Sequence, residues 1–386
     1  MNPFVGYRSL LHSYQVARGA GMSDEEYCRL VETLDASVAE VDGQGFRVTP
    51  FMRADRLSTR LGFSPAGGVW IKDETGNVSG SHKARHLIGV AIYLEVIRLL
   101  GLTHEAPYPM LAVASCGNAA LAAAIIARAL RREVEVFVPV DAPQPVMSRL
   151  HGLGARITVC AREPGVLGDP AYLRLRNSVA RGALPFTCQG SENGLIVEGG
   201  ETLGWEMAAT ESHLDRIIVQ VGGGALASSV IQSFREAAEL GAISRSPRID
   251  TVQTSSAHPL ERAYENVVAR IDSGETPQEA LRYAATHRSQ VMRPLEGTPR
   301  SVATGILDDE TYDWLAVVAG MVLTGGQPLI VDEPLLLEAN SIGRQTTGID
   351  ISHTGSSGLA GLIALVRARA VDPQERVAVL FTGAQY

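Results

Sequence analysis

The sequence has few cysteines and no long apolar run, and each absence excludes a class of protein. Cys28, Cys116, Cys160 and Cys188 lie far apart and form no C-x-x-C pair, so no zinc or redox-dithiol site is expected and the thiols are taken as reduced. No apolar run reaches the roughly 20 residues that cross a bilayer. The first residues also lack the charged and apolar segments of a secretory signal. The sequence therefore predicts a cytoplasmic protein without a membrane partner.

The net charge and the length of the chain restrict the class of partner and the number of domains. The chain carries 34 basic and 42 acidic residues, a net charge of -8, which argues against a nucleic-acid partner. Its 386 residues exceed one ordinary domain of about 100–200 residues. Hydrophobic residues make up 45% and charged residues 20%, as in ordinary globular proteins. We expect two α/β lobes with a large buried core.

The order of apolar and polar segments predicts parallel sheets. Residues 1–45 are typical of amphipathic helix, with Ser23 as a helix N-cap. Beyond them, short apolar strands alternate with helices, which indicates parallel pairing because a parallel crossover needs a covering helix. Strands are predicted at residues 69–72, 110–114, 134–138, 157–160, 216–221 and 376–381, and helices at residues 118–131 and near 144–152. Ligands commonly bind at the carboxyl ends of such strands.

The first segment whose residues could take part in a reaction is the polar stretch 72–85. It leads into a helix starting near Ser81 and carries Lys83. A lysine just inside a helix N-terminus meets the positive end of the helix dipole. This field favours an uncharged amine, which attacks aldehydes. The segment predicts that Lys83 forms a Schiff base, and it also fits a solvated lysine in a polar turn.

Two further segments place small residues between a strand and a helix. Ser115-Cys116-Gly117-Asn118-Ala119 offers a hydroxyl and free backbone N–H groups, which suit a carboxylate such as that of an amino acid. Val221-Gly222-Gly223-Gly224-Ala225 lets backbone amides approach a phosphate closely. Neither G-x-G-x-x-G nor G-x-x-x-x-G-K-[ST] is present there, so a dinucleotide or nucleoside triphosphate fits poorly. Turns, caps and packing explain the same residues as well.

Taken in this order, the segments resemble the motifs of pyridoxal-phosphate enzymes of fold type II, the tryptophan synthase β family. The likeness is nearest to the serine and threonine dehydratases and threonine synthase. The family's N-P-T-G-S-[FH]-K-x-R segment is similar to residues 77–85, its S-[ST]-G-N loop to residues 115–118 and its G-G-G-G-L loop to residues 222–226. The family's last strand ends in a serine or threonine, where this chain has Thr382.

The resemblance implies a role for each of these residues. Lys83 would bind the cofactor, pyridoxal 5'-phosphate, and act as the catalytic base. The carboxylate of a small amino-acid substrate would bind the loop of Ser115, Cys116, Gly117, Asn118 and Ala119, with Asn118 also contacting the cofactor's phenolic oxygen. The cofactor phosphate would bind Gly222, Gly223, Gly224 and Ala225, and Thr382 would face the pyridine nitrogen. No metal is implied.

The resemblance also implies the fold: α/β, the two-lobed parallel-sheet fold of the tryptophan synthase β type with an N-terminal helical extension. The extension would cover residues 1–45 and the small domain residues 77–189. The large pyridoxal-phosphate-binding domain would comprise residues 46–76 and 190–386. A homodimer is expected from the family.

The neutral hydroxyl of Thr382 predicts the type of reaction. Without an anionic partner the ring nitrogen is not held protonated, so the ring is a weaker electron sink and loss of a β-substituent is favoured over transamination. The resulting hypothesis is an ammonia-lyase that eliminates from a serine- or threonine-like amino acid through an aminoacrylate-type intermediate. A β- or γ-replacement synthase and a non-catalytic cofactor-binding module remain as alternatives. Cys116 stands where the family's racemases carry a serine, which argues against racemisation.

Overall fold

The computed structural model describes residues 1–103, 109–162, 166, 168–295, 297 and 299–385, and these form two compact units. The first unit comprises Met1–Val48 and Asn77–Thr202, and the second Thr49–Gly76 and Leu203–Gln385. The division into domains made from the sequence stays a prediction. Within the described ranges, no helix combines the length and the hydropathy that crossing a membrane requires.

The secondary structure alternates between helices and strands along most of the chain. The described α-helices are α1 (Pro3–Gly6), α2 (His12–Gly19), α3 (Asp24–Asp42), α4 (Asp55–Arg60), α5 (Lys83–Leu99), α6 (Asn118–Ala129), α7 (Gln144–Gly152), α8 (Pro170–Ala180), α9 (Leu195–Thr210), α10 (Ala225–Glu239), α11 (Pro259–Asp272), α12 (Pro277–Thr286), α13 (Arg288–Val291), α14 (Trp314–Thr324), α15 (Glu333–Thr347) and α16 (Ser357–Arg367). The described strands are β1 (Phe51–Arg53), β2 (Gly68–Asp73), β3 (Leu111–Ala114), β4 (Val134–Pro139), β5 (Arg156–Cys160), β6 (Leu184–Pro185), β7 (Arg216–Gln220), β8 (Arg248–Thr254), β9 (Pro328–Val331) and β10 (Arg376–Phe381).

The second unit is built on a six-stranded sheet in the order β1-β2-β10-β7-β8-β9. Both faces of this sheet are covered, and its strand β7 is buried along its whole length. In β7, Ile217 and Val219 pack into one core, which includes residues of α10 and α14, whereas Ile218 packs into the core that contains residues of α15 and α16. The last strand, β10, lies between β2 and β7, which brings the end of the chain to the centre of the sheet.

The first unit contains a four-stranded parallel sheet in the order β5-β4-β3-β6. The Ala-rich helix α6 follows β3 and is buried from Ala119 to Ala127. Its small side chains let α3 and α5 pack against it. Helix α3 begins at a capping box, in which Ser23 accepts a hydrogen bond from the Glu26 N–H and Glu26 accepts one from the Ser23 N–H. The predicted N-cap is therefore confirmed.

The α/β fold predicted from the sequence is confirmed, with one departure from parallel pairing. The predicted strands correspond to β2, β3, β4, β5, β7 and β10. Strand β1, however, pairs antiparallel with β2 at the edge of the larger sheet. The edge position allows this pairing, because β1 returns to β2 through the short segment containing α4 and needs no crossover on the sheet face.

Candidate functional site

The chain contains two lysines, Lys72 and Lys83. Lys72 lies in β2 with a fully buried side chain. Its ammonium group forms an ion pair with Glu206 and donates a hydrogen bond to the carbonyl of Thr49 at 2.9 Å. A buried, ion-paired ammonium has no lone pair for attack on an aldehyde. Lys83 is therefore the lysine suited to covalent binding of a carbonyl compound.

Lys83 is the first residue of α5, with His82 as the N-cap. The helix begins two residues later than the sequence predicted. A turn of 3₁₀ helix, Val78–Gly80, precedes it, and both Ser79 and Ser81 are buried there. The carbonyl of Lys83 accepts a weak hydrogen bond from the Cys188 thiol, with 3.9 Å between sulfur and oxygen. The side chain of Lys83 therefore begins at the helix N-terminus, directly after this buried turn.

The predicted carboxylate loop lies between β3 and α6. Gly117 is the N-cap of α6 and supplies no side-chain cap, and its N–H donates to the Ser115 hydroxyl at 3.3 Å. The side-chain oxygen of Asn118 is buried without a hydrogen-bond partner in the described part of the chain. Buried polar atoms are ordinarily paired, so this amide fits a residue that contacts a ligand. Helices α5 and α6 pack together, so the first unit brings Lys83 and Asn118 to neighbouring helices.

The three-glycine segment connects β7 to α10. Gly224 is the N-cap of α10 with φ +101, a conformation that L side chains rarely adopt, and no side chain caps the helix. The segment Ile306–Asp313 packs against these glycines: a Cβ on Gly223 would lie 2.9 Å from the Tyr312 ring. Packing therefore contributes to the choice of glycine, and the free first-turn N–H groups of α10 remain suited to an anion.

Thr382 follows β10 at the same edge of the sheet as the glycine segment, because β10 and β7 are parallel neighbours. Its hydroxyl oxygen accepts a hydrogen bond from Nε2 of Gln220 at 3.0 Å. The same amide donates to the carbonyl of Gly355 at 2.7 Å, which fixes its orientation. Thr382 is only 2% exposed, and its hydroxyl is therefore a buried group whose hydrogen-bond donor is a neutral amide.

Sequence reasoning missed three features of these segments. The scarcity of lysine, readable by counting, singles out Lys83. Gln220 is the last residue of β7, and nothing in its position along the chain points to Thr382. Ser228, one turn into α10, carries a buried hydroxyl without a partner among the described residues, which makes it a candidate ligand contact at this helix end.

These groups fit pyridoxal phosphate. The cofactor requires an amine for its aldehyde, N–H donors for its phosphate and hydrogen-bonding partners for its ring substituents. Lys83 offers the amine, the N-terminus of α10 the donors, and Asn118 a buried amide oxygen that no described residue uses. The roles of the individual residues remain predictions.

Known proteins with similar sequences include a threonine synthase and a serine dehydratase-like protein. A threonine synthase of Methanocaldococcus jannaschii is 23% identical over 338 residues, which cover 87% of this chain and 74% of that protein. A serine dehydratase-like protein of Rattus norvegicus is 28% identical over 195 residues, 49% of this chain and 53% of that protein. The chain thus spans about half the length of that second relative.

Solved structures agree on the fold. The structure of the processed form of threonine deaminase isoform 2 from Solanum lycopersicum matches with a TM-score of 0.66 and 17% identity, covering 94% of this chain and 86% of that one. At this identity the likeness concerns the fold alone. The model of the family described as "Pyridoxal-phosphate dependent enzyme" matches residues 43–383. Since that match spans most of the 386 residues, the chain belongs to the family of pyridoxal-phosphate-dependent enzymes.

Proposed function

We propose that the protein is an ammonia-lyase that removes the β-hydroxyl group and the amino group of a small, serine- or threonine-like amino acid. The products would be a 2-oxo acid and ammonia. The observation that carries this proposal is the environment of Thr382, whose hydroxyl is hydrogen-bonded to the neutral amide of Gln220 at 3.0 Å. A neutral partner does not stabilise a protonated ring nitrogen, and this favours early loss of a β-substituent over transamination.

When bound, the cofactor supplies an electron sink for the bond that breaks at the substrate's α-carbon. Lys83 would hold it covalently, and the first-turn N–H groups of α10 would bind its phosphate. Asn118 would contact the phenolic oxygen through its buried amide. Thr382 would hydrogen-bond the ring nitrogen, with Gln220 fixing the position of the hydroxyl.

The substrate would be oriented by the first turn of α6. Its carboxylate would accept hydrogen bonds from the Ser115 hydroxyl and from N–H groups at the start of α6, which no side chain caps. The amine of Lys83 would then remove the α-proton as the general base. The departing β-hydroxyl needs a proton, which the Lys83 ammonium so formed would return.

A replacement reaction is the second candidate, and the match to a threonine synthase over 87% of this chain favours it. Both reactions would begin with the same proton transfer to Lys83. They differ in whether water or a second nucleophile completes the cycle. A cofactor-binding module without catalysis is a third hypothesis.

Product analysis of the full-length protein loaded with pyridoxal phosphate tests the proposal. L-Serine, L-threonine and O-substituted homologues would be supplied with and without thiol or amine acceptors. We expect 2-oxo acid and ammonia from serine or threonine without any acceptor. Products that form only with an acceptor would replace the lyase by a synthase, and a cofactor spectrum unchanged by every amino acid would favour the binding module. Lys83→Arg is the matched control, since it keeps a cation there but cannot bind the aldehyde.

A further inference from the structure

Two side chains at the end of α3 hold the turn that precedes Lys83. The carboxylate of Asp42 accepts a hydrogen bond from the backbone N–H of Ser79 at 2.8 Å. Two residues further on, Nε2 of Gln44 donates to the carbonyl of Asn77 at 3.0 Å. The second carboxylate oxygen of Asp42 accepts a hydrogen bond from Arg149 at 2.9 Å. All five residues belong to the first unit.

The position of Asp42 is unfavourable for its own helix. It is the last residue of α3, where the helix dipole is negative and a cation would be preferred. Its side chain is only 4% exposed, and burial raises the pKa of the carboxyl group despite the hydrogen bond from Ser79. A buried acidic residue at a helix C-terminus destabilises its own helix. Such a residue is expected to make a compensating interaction elsewhere in the structure.

The residue that Asp42 holds has a strained backbone. Ser79 has φ 61 and is fully buried. The other described non-glycine residues with positive φ, Arg131 and Arg369, are exposed and follow the ends of helices. A left-handed L-residue costs about 1–2 kcal/mol, so Ser79 keeps this conformation only while its surroundings impose it.

Helix α3, which carries Asp42, is capped at both ends and packed against its neighbours. It starts after the Ser23 capping box, and its C-cap is Gly43, which adopts the left-handed conformation with φ 85. It packs against α5, α6 and the 3₁₀ turn Val78–Gly80. It also precedes the range of the family match, which starts at residue 43.

We infer that Asp42 is a positioning residue for Lys83: it fixes Ser79 in the left-handed conformation from which the chain enters α5. The inference rests on the proposed role of Lys83 in binding the cofactor. Losing the carboxylate leaves a buried N–H without an acceptor and lets Ser79 relax toward negative φ. The four-residue step from Ser79 to Lys83 passes that change to the amine.

A double-mutant cycle between Asp42 and Ser79 tests this inference. Asp42→Ala should raise the dissociation constant for pyridoxal phosphate about tenfold in the Ser79 background. In the Ser79→Gly background the same change should cost about threefold or less, because glycine adopts positive φ without strain. Asp42→Asn keeps an acceptor for the Ser79 N–H and should stay within about twofold of the wild type.

Backbone hydrogen exchange in the cofactor-free, full-length protein is a second measurement, and it does not depend on activity. Asp42→Ala should speed exchange about tenfold in the peptide spanning residues 77–83. The matched control is Asp35→Ala. Asp35 lies in the same helix, and its carboxylate, whose pKa burial likewise raises, accepts the N–H of Phe46 at 2.6 Å. That variant should speed exchange near Phe46 and leave residues 77–83 and the cofactor affinity unchanged.

The possible outcomes separate the inference from the proposed function. Equal effects of Asp42→Ala in both backgrounds, or a tenfold loss in Asp42→Asn, would overturn the positioning role even if Lys83 binds the cofactor. If Asp42→Ala does not fold, the Asp42→Asn result and the exchange rates of Ser79→Gly decide the question. Should borohydride reduction label no lysine, the proposed function fails, while coupling in the exchange rates would still show that Asp42 holds Ser79.

Discussion

Two glycines cap helices in the predicted motifs, one in each unit, and the structure predicts opposite results when each is changed to alanine. Gly224 precedes α10 with φ +101, and a Cβ there would lie 3.0 Å from Thr311 and 3.1 Å from Asp313. The backbone conformation costs alanine about 1–2 kcal/mol and the crowding about 1–3 kcal/mol. Gly117 precedes α6 with φ -141, and a Cβ there would meet nothing within 4 Å.

Urea unfolding followed by tryptophan fluorescence measures the effect of Gly224→Ala. All three tryptophans, Trp70, Trp205 and Trp314, belong to the second unit, as Gly224 does. A loss of about 2–5 kcal/mol with a slope of about 2 kcal/mol/M lowers the urea midpoint by about 1–2.5 M. The variant should also bind pyridoxal phosphate more weakly.

Gly117→Ala is the matched control for this experiment. Gly117 belongs to the first unit, so its urea transition is followed by circular dichroism as well as by tryptophan fluorescence. We expect both transitions to remain where they are, the free energy of unfolding to change by less than about 1 kcal/mol, and the KM for the amino acid to rise. Equal midpoints for the wild type and Gly224→Ala would refute the argument from backbone conformation. A large loss of stability in Gly117→Ala would refute the claim that its Cβ meets open space.

Three further predictions concern residues around these segments. Lys72→Met leaves the buried Glu206 without its ion pair and should cost about 3–5 kcal/mol in urea unfolding, most of it recovered when Glu206 is also changed to Met. Hydrogen bonds, first from Arg8, lower the pKa of Asp24. The stability lost in Asp24→Asn should therefore be constant above about pH 4 and vanish as the pH falls through the lowered pKa; a difference that persists at lower pH would contradict this. Thr382→Asp should stabilise a protonated ring nitrogen and increase transamination, measured as pyridoxamine phosphate formed per turnover, and an unchanged ratio would count against the electronic argument.

Much of the parallel core was predictable because several of its strands carry a continuous run of apolar residues. Strand β7 is buried along its whole length, and its residues Ile217, Ile218 and Val219 form a continuous apolar run. Strand β8, in contrast, was missed. It contains Asp250 and Gln253, both buried, which make it look polar. Their partners lie on other segments, since Asp250 pairs with Arg216 and Gln253 donates to the carbonyl of Val221.

In the candidate site too, contacts between residues far apart in the sequence were not predicted. The motifs that carry Lys83 and Asn118 follow from residue order and from the helix starts next to strands. The contact between Gln220 and Thr382 joins residues 162 positions apart, and that between Asp42 and Ser79 joins residues 37 positions apart. No spacing rule connects such pairs, because folding of the whole unit brings them together.

The central claim is that the amine of Lys83 binds the cofactor, and the near absence of lysine makes the test direct. Borohydride reduction of the protein loaded with pyridoxal phosphate, followed by peptide mapping, asks which of two lysines carries the cofactor. We predict a single modified peptide that contains Lys83. Modification of Lys72 or of the terminal amine instead, or no modified peptide at all, would contradict the account.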